Sequence, residues 1–227
     1  MDIFKDLVLP DIMTLTNAVF GLLAIFAAFS GQIELGFVFV LVAAVADGMD
    51  GYLARTISQG PMGEYLDSLA DAVSFGVAPA CLIYLGISGL LRYAAGFFAC
   101  MYLVCGILRL ARFNTKKKTI PDFEGLPITA SAVVLSSYAL LAPQYIYSWV
   151  IFGLLVLLCY LMISDHPYPK LRGPRAMGAV SMLFFSTILS YFLLNSYMWI
   201  FSTILFLSLM LYLESPIMRI PRQYYEK

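Results

Sequence analysis

Residues 35–55 read Leu-Gly-Phe-Val-Phe-Val-Leu-Val-Ala-Ala-Val-Ala-Asp-Gly-Met-Asp-Gly-Tyr-Leu-Ala-Arg. The run is apolar for long enough to cross a bilayer, which takes ~17–25 residues in a helix. It then carries two aspartates near one end, where an ionised side chain costs ~2.5–3.5 kcal/mol at a helix centre on insertion scales. A membrane helix that keeps acids is the feature from which both fold class and function are read. The next apolar run, Tyr65–Leu85, repeats it with Asp67 and Asp71.

The rest of the chain agrees with a bilayer as solvent. Of 227 residues, 61% are hydrophobic and only 12% charged, and mean hydropathy is +0.86. Soluble domains average ~45–50% apolar and ~25% charged residues, so a soluble fold of this length is excluded. Eight apolar segments are expected as spans: Leu15–Ser30, Leu35–Arg55, Tyr65–Leu85, Tyr93–Arg112, Ile128–Leu141, Ile146–Ile163, Ala176–Leu194 and Met198–Leu213. Ahead of them, Ile3, Phe4, Leu7 and Val8 share one helical face, which predicts a short interfacial helix over residues 1–10, ended by Pro10. The predicted fold is therefore an all-α integral membrane protein of about eight transmembrane helices, forming a single domain over 1–227.

Basic residues test this segmentation independently. With eight spans, the N-terminus, the even-numbered loops and the C-terminus share one side, and thirteen of the fourteen Lys and Arg residues fall there, with Arg92 opposite. The positive-inside rule puts that side in the cytoplasm. The expected location is the cell membrane, with both termini and the acid-bearing helix ends cytoplasmic. Acidic Asp2, Asp6 and Asp11 beside Lys5 argue against a signal peptide.

The i, i+3 spacing of Asp47 and Asp50 puts them on one helix face, and the i, i+4 spacing does the same for Asp67 and Asp71. The turn between, with Gly60 and Pro61, makes the two helices antiparallel neighbours, so four carboxylates converge. Hard oxygen ligands call for Mg²⁺, Mn²⁺ or Ca²⁺. Zinc is not expected, since Cys81, Cys100, Cys105 and Cys159 sit in apolar runs without metal spacing, and His166 lies in a loop. Paired cations bridged by carboxylates suit reactions at phosphorus. An ion or proton pathway is the other reading of intramembrane acids.

Read from Asp47, the sequence is D-x-x-D-G-x-x-A-R, followed by Gly63-x-x-x-Asp67-x-x-x-Asp71. It resembles the signature of the CDP-alcohol phosphotransferases, with seven residues between Arg55 and Gly63 where eight are commonest. LDSLADAVSFGVAP (66–79), RLARFN (109–114), GLPITASA (125–132) and YPK (168–170) are similar to the family's serine-using branch. The opening LPDIMTLTN (9–17) resembles the family too, with Asp11 where Asn is frequent. The resemblance extends over residues 11–175, leaving two additional spans and a tail at 176–227.

The resemblance implies displacement at the lipid-linked phosphorus of a CDP-lipid by L-serine, with release of CMP. It implies that Asp47, Asp50, Asp67 and Asp71 hold divalent metal, Mg²⁺ or Mn²⁺ and two ions, and that Asp71 takes the hydroxyl proton. Gly51 and Gly63 would let the nucleotide approach the backbone, Ala54 would pack against it, and Arg55 would contact phosphate. Thr14 and Asn17 would reach the cytidine. Ser74, Arg109, Arg112 and Asn114 are expected around the acceptor or the lipid phosphate. A homodimer among membrane lipids is implied, and no nucleic-acid partner. Sister transferases taking glycerol phosphate or inositol phosphate remain the alternative acceptor classes, and apolar helices suit acyl and ether lipid chains equally.

Overall fold

A computed structural model describes residues 7–57, 62–115, 123–168, 174–193 and 197–214. Among these, eight helices follow one another: α1 Leu9–Phe29, α2 Ile33–Ile57, α3 Gly63–Gly86, α4 Leu91–Thr115, α5 Ile128–Ala139, α6 Ser148–Ile163, α7 Pro174–Leu193 and α8 Met198–Glu214. Each of the eight apolar segments read from the sequence falls on one of them. The only strands among the described residues are two-residue β1 and β2, which pair antiparallel with Phe123 opposite Tyr168.

Helix count and span count are nevertheless different quantities. α1, α3 and α4 are long and apolar enough to cross a membrane. By contrast α5 has 12 residues, which at 1.5 Å per residue gives ~18 Å against a hydrocarbon core of ~30 Å. Its residues Ser131–Tyr138 are all buried, so α5 is the central post of the bundle, packed on by its neighbours. Polar Ser131, Ser136 and Ser137 are tolerated there because their hydroxyls donate to carbonyls of Pro127, Ala132 and Val134. A buried hydroxyl without a partner would be costly.

The N-terminus differs from expectation. Ile3 and Phe4 lie outside the described residues, but Leu7 and Val8 are not helical, and Leu9 and Pro10 already belong to α1. Pro10 sits in the first turn, where its missing N–H costs nothing and its fixed φ suits a helix start. Asp11 completes the start by accepting the Val8 amide at 3.0 Å. Pro10 therefore opens α1, and the predicted interfacial helix cannot run through to residue 10.

Interior and exterior are arranged for a bilayer. Tyr102, Phe75, Leu41, Leu82, Ile128, Leu155 and Leu158 are fully buried, while Val19, Phe26, Phe97, Val104, Leu108 and Leu207 are among many large apolar side chains facing outward. So many exposed apolar groups are out of place in water and at home in lipid. The chain is a membrane protein.

One irregularity bears on the site. Within α3, residues Ala72–Val77 form a π turn immediately after Asp71. Such turns loosen the regular carbonyl ladder and recur at functional sites. Here the Phe75 carbonyl accepts the buried Tyr102 hydroxyl from α4 at 2.9 Å.

Candidate active site

The acids of α2 and α3 do converge, but three of the four do so tightly. Carboxylate oxygens of Asp47, Asp67 and Asp71 lie within 4.8 Å of one another, with Asp71 buried and the other two half-buried. At ~4 Å, two unit charges repel by about 4 kcal/mol even at an effective dielectric constant of ~20. Hydrogen bonding relieves a little of this. Thr129 of α5 donates to Asp47 at 3.3 Å, and the Asn17 amide donates to Asp71 Oδ1 at 3.2 Å. The donor set is oxygen only, at a separation that a cation with ligand distances of ~2.0–2.6 Å can draw together. The residues present therefore fit a hard divalent cation.

Asp50 stands outside this triad. It is buried, and its Oδ2 accepts the Thr14 hydroxyl of α1 at 2.7 Å. Thr14 is thus a partner of an acid rather than an open ligand group. The backbone around it is equally committed to the site, because α1 runs alongside with Asp11, Thr14 and Asn17 one above another. Two buried side-chain oxygens on this face, Asp11 Oδ1 and Asn17 Oδ1, are without a hydrogen-bond partner in the protein. Buried acceptors are nearly always satisfied, so both are suited to donors carried by a ligand.

Ser74 is placed differently from expectation. It is fully buried and donates to the Asn17 carbonyl at 2.8 Å. It supports α1 against the π turn and does not face an acceptor. The two arginines also part company. Arg109 is buried and within electrostatic reach of Asp71 and Asp47, and its guanidinium lies 5.3 Å from the centre of the Phe113 ring. Arg112, expected at the acceptor, points to the end of α6. It pairs with Asp165 at 2.7 Å and donates to the carbonyls of Met162, Ile163 and Ser164 at 2.9, 2.9 and 3.1 Å.

That arrangement is a C-terminal helix cap supplied from another helix. The last carbonyls of α6 have no partners within the helix, and a cation there also complements the helix dipole. Gly125 makes room for it. Its φ is +77°, and an added Cβ would meet the Met162 carbonyl oxygen at 2.6 Å. Arg112→Ala is accordingly expected to destabilise the protein by about 1–3 kcal/mol, the cost of orphaning carbonyls that held a charged donor. Thermal unfolding in detergent would show a lowered midpoint, with the KM for either substrate nearly unchanged. A normal midpoint with a raised KM would instead return Arg112 to the substrate site.

Of the remaining expected residues, Asn114 is exposed and exchanges hydrogen bonds with Ser68, next to Asp67, at 2.9 and 3.2 Å. Gly51 and the buried Gly63 flank the acids on α2 and α3. Ala54 and Arg55 lie on the last turn of α2, with side chains outside the described ones. Thr129 and Asp11 were not singled out as site residues by spacing. Their signal was present only as the motifs GLPITASA and LPDIMTLTN, which do not say which hydroxyl or carboxylate turns inward.

A membrane helix bundle with a buried, oxygen-only acidic triad fitted for divalent cations defines an integral membrane protein built for chemistry on a charged, metal-binding group. The chain belongs to the CDP-alcohol phosphatidyltransferase family, whose model matches residues 7–163. Among curated relatives, it is 37% identical to archaetidylserine synthase of Methanothermobacter thermautotrophicus, over 75% of this chain and 73% of that one. It is 38% identical to CDP-diacylglycerol–serine O-phosphatidyltransferase of Methanocaldococcus jannaschii over 73% and 76% of the two chains. The protein of the same name in Bacillus subtilis is 32% identical over 74% of this chain and 93% of its own.

Proposed function

We propose that this protein transfers the phosphatidyl-type group of a CDP-activated lipid to the hydroxyl of L-serine, releasing CMP. The observation that carries this reading is the tight triad of Asp47, Asp67 and Asp71 inside the family motif, and the serine-using relatives support the choice of acceptor. Asp47, Asp67 and Asp71, with Asp50 adjoining, hold two divalent ions, Mg²⁺ or Mn²⁺. Bound cations would clamp the diphosphate oxygens and offset the charge that develops on CMP as it leaves.

The protein's own residues do the rest. Asp71 accepts the serine hydroxyl proton as the serine oxygen forms its bond to the lipid-linked phosphorus and the bond to CMP breaks. Asn17 holds Asp71 by one oxygen, which fixes the carboxylate plane for that transfer. Thr14 orients Asp50, and the open acceptors of Asp11 and Asn17 receive donors of the nucleotide. Gly51, Ala54, Arg55 and Gly63 line the CDP side, while Arg109 meets the serine carboxylate or the lipid phosphate. Eight spans place both termini and the site at the cytoplasmic face of the cell membrane, in a single domain, and the protein acts as a homodimer among membrane lipids.

The test is CMP release by the purified protein from a CDP-lipid with Mn²⁺ or Mg²⁺, comparing serine, glycerol 3-phosphate and inositol phosphate. Release with serine, abolished by chelation and restored by metal, is the expected result. Release only with a phosphorylated acceptor would overturn the choice of serine and keep the family chemistry.

A further inference from the structure

The family match ends at residue 163, yet the last helix reaches the site. We propose that α8 completes the acceptor side, with Tyr212 a positioning residue that holds the Arg109 guanidinium in place to receive the carboxylate of the incoming amino acid. This rests on the serine reading above and adds to it a helix and a residue to which that reading gives no part.

Arg109 lies between two sets of groups. On one side are Asp71 and Asp47, and on the other Tyr212 interacts with it electrostatically. The Phe113 ring adds a further aromatic surface at 5.3 Å. Tyr212 is itself held from behind. Its ring centroid is 5.6 Å from that of Tyr168, which is fully buried. The Tyr168 hydroxyl donates to the carbonyl of Leu213, the residue after Tyr212, at 3.5 Å. Tyr168 is in turn pinned by its pairing with Phe123 in the short bridge. Arg109, Tyr212 and Tyr168 therefore form a connected row from the carboxylate cluster to the end of α8.

The physical need for such a row is clear from the cluster. An arginine beside several carboxylates is drawn onto them, and a guanidinium bound there has no fork left for a substrate. Arginine also carries substantial rotamer freedom, lost each time it must meet a ligand. A wall of aromatic rings attracts the guanidinium through their π faces and limits where it can go. With that wall in place, the planar fork is preset for bidentate contact with a carboxylate.

The full-length protein in detergent would be assayed as wild type, Tyr212→Leu, Tyr212→Phe and Leu211→Ala, the last changing an exposed neighbour on the same helix. KM would be measured for serine, for CDP-lipid and for ethanolamine, which is serine without its carboxylate. Losing the aromatic face should raise the serine KM about tenfold in Tyr212→Leu, with the CDP-lipid KM within about twofold of wild type. Preference for serine over ethanolamine should fall alongside, Tyr212→Phe should restore most of it, and Leu211→Ala should behave as wild type. An unchanged serine KM in Tyr212→Leu would overturn the proposal. So would equal rises for serine, ethanolamine and CDP-lipid, or the same loss in Leu211→Ala, since either means a structural effect. Should Tyr212→Leu not fold, Tyr168→Leu removes the supporting ring, and the same serine-specific rise is required of it. A wild-type protein that ignores serine would sink the serine reading instead, and the same variants assayed with the acceptor it does use would then decide the role of Tyr212 separately.

Discussion

Asp71→Asn is expected to reduce CMP release by about a thousandfold, within the range ascribed to a positioned general base. The substitution is nearly isosteric. The new carboxamide oxygen can still accept the Asn17 amide now 3.2 Å away, so the α1–α3 contact survives and the fold should melt normally. What disappears is a group able to take the serine proton, along with one anionic ligand of the triad. Metal titration separates the two losses. If added Mn²⁺ recovers most of the rate, Asp71 serves chiefly as a ligand. If saturating metal leaves the rate low, it is the base. Activity within about tenfold of wild type would place the base elsewhere, because so small a loss falls below what a missing general base costs.

Gly21→Val is expected to be the most damaging change outside the carboxylates. A Cβ on Gly21 would collide with the Ser74 hydroxyl and come within 2.7 Å of Ser74 Cα. Neither side can retreat easily. The π turn is anchored by Tyr102 on the Phe75 carbonyl, and Ser74 is hydrogen-bonded to the Asn17 carbonyl one turn along α1. Overpacking a close helix contact costs about 1–3 kcal/mol, and membrane helices depend on small residues for such approaches. Forcing α1 away would also draw Asn17 from Asp71, so a lowered unfolding midpoint and lost CMP release should appear together. A variant that melts and turns over as wild type would show that α1 does not need this closeness to organise the site.

Much of the site was legible because helical spacing is rigid. Asp47 and Asp50 at i, i+3, and Asp67 and Asp71 at i, i+4, had to share faces of their helices, and a short turn had to bring the helices together. The family motif then supplied a chemistry for the acids. Spacing alone could not rank them, because it sets the face a side chain leaves from and not the partner it meets. Thr14, 36 positions from Asp50, takes that acid into a bond with α1, while Asp47, Asp67 and Asp71 close on one another. Arg109 and Arg112 looked equivalent for the same reason. Three positions apart, they diverge by about 60° around a helix of 3.6 residues per turn, enough to send one toward the acids and the other to the end of α6.

By itself the sequence determined the solvent, the eight helical segments, the acid-bearing helix pair and the family. All of these depend on properties local in the chain: apolar run length, periodicity and motif. Tertiary structure alone decided where α1 begins relative to Pro10, that α5 is an inner post of 12 residues, that Ser74 braces Asn17, and that Tyr212 of the last helix approaches Arg109. Those outcomes depend on helix rotation and close approach between residues far apart in sequence. They are settled only when buried hydroxyls, carbonyls and charges find partners together.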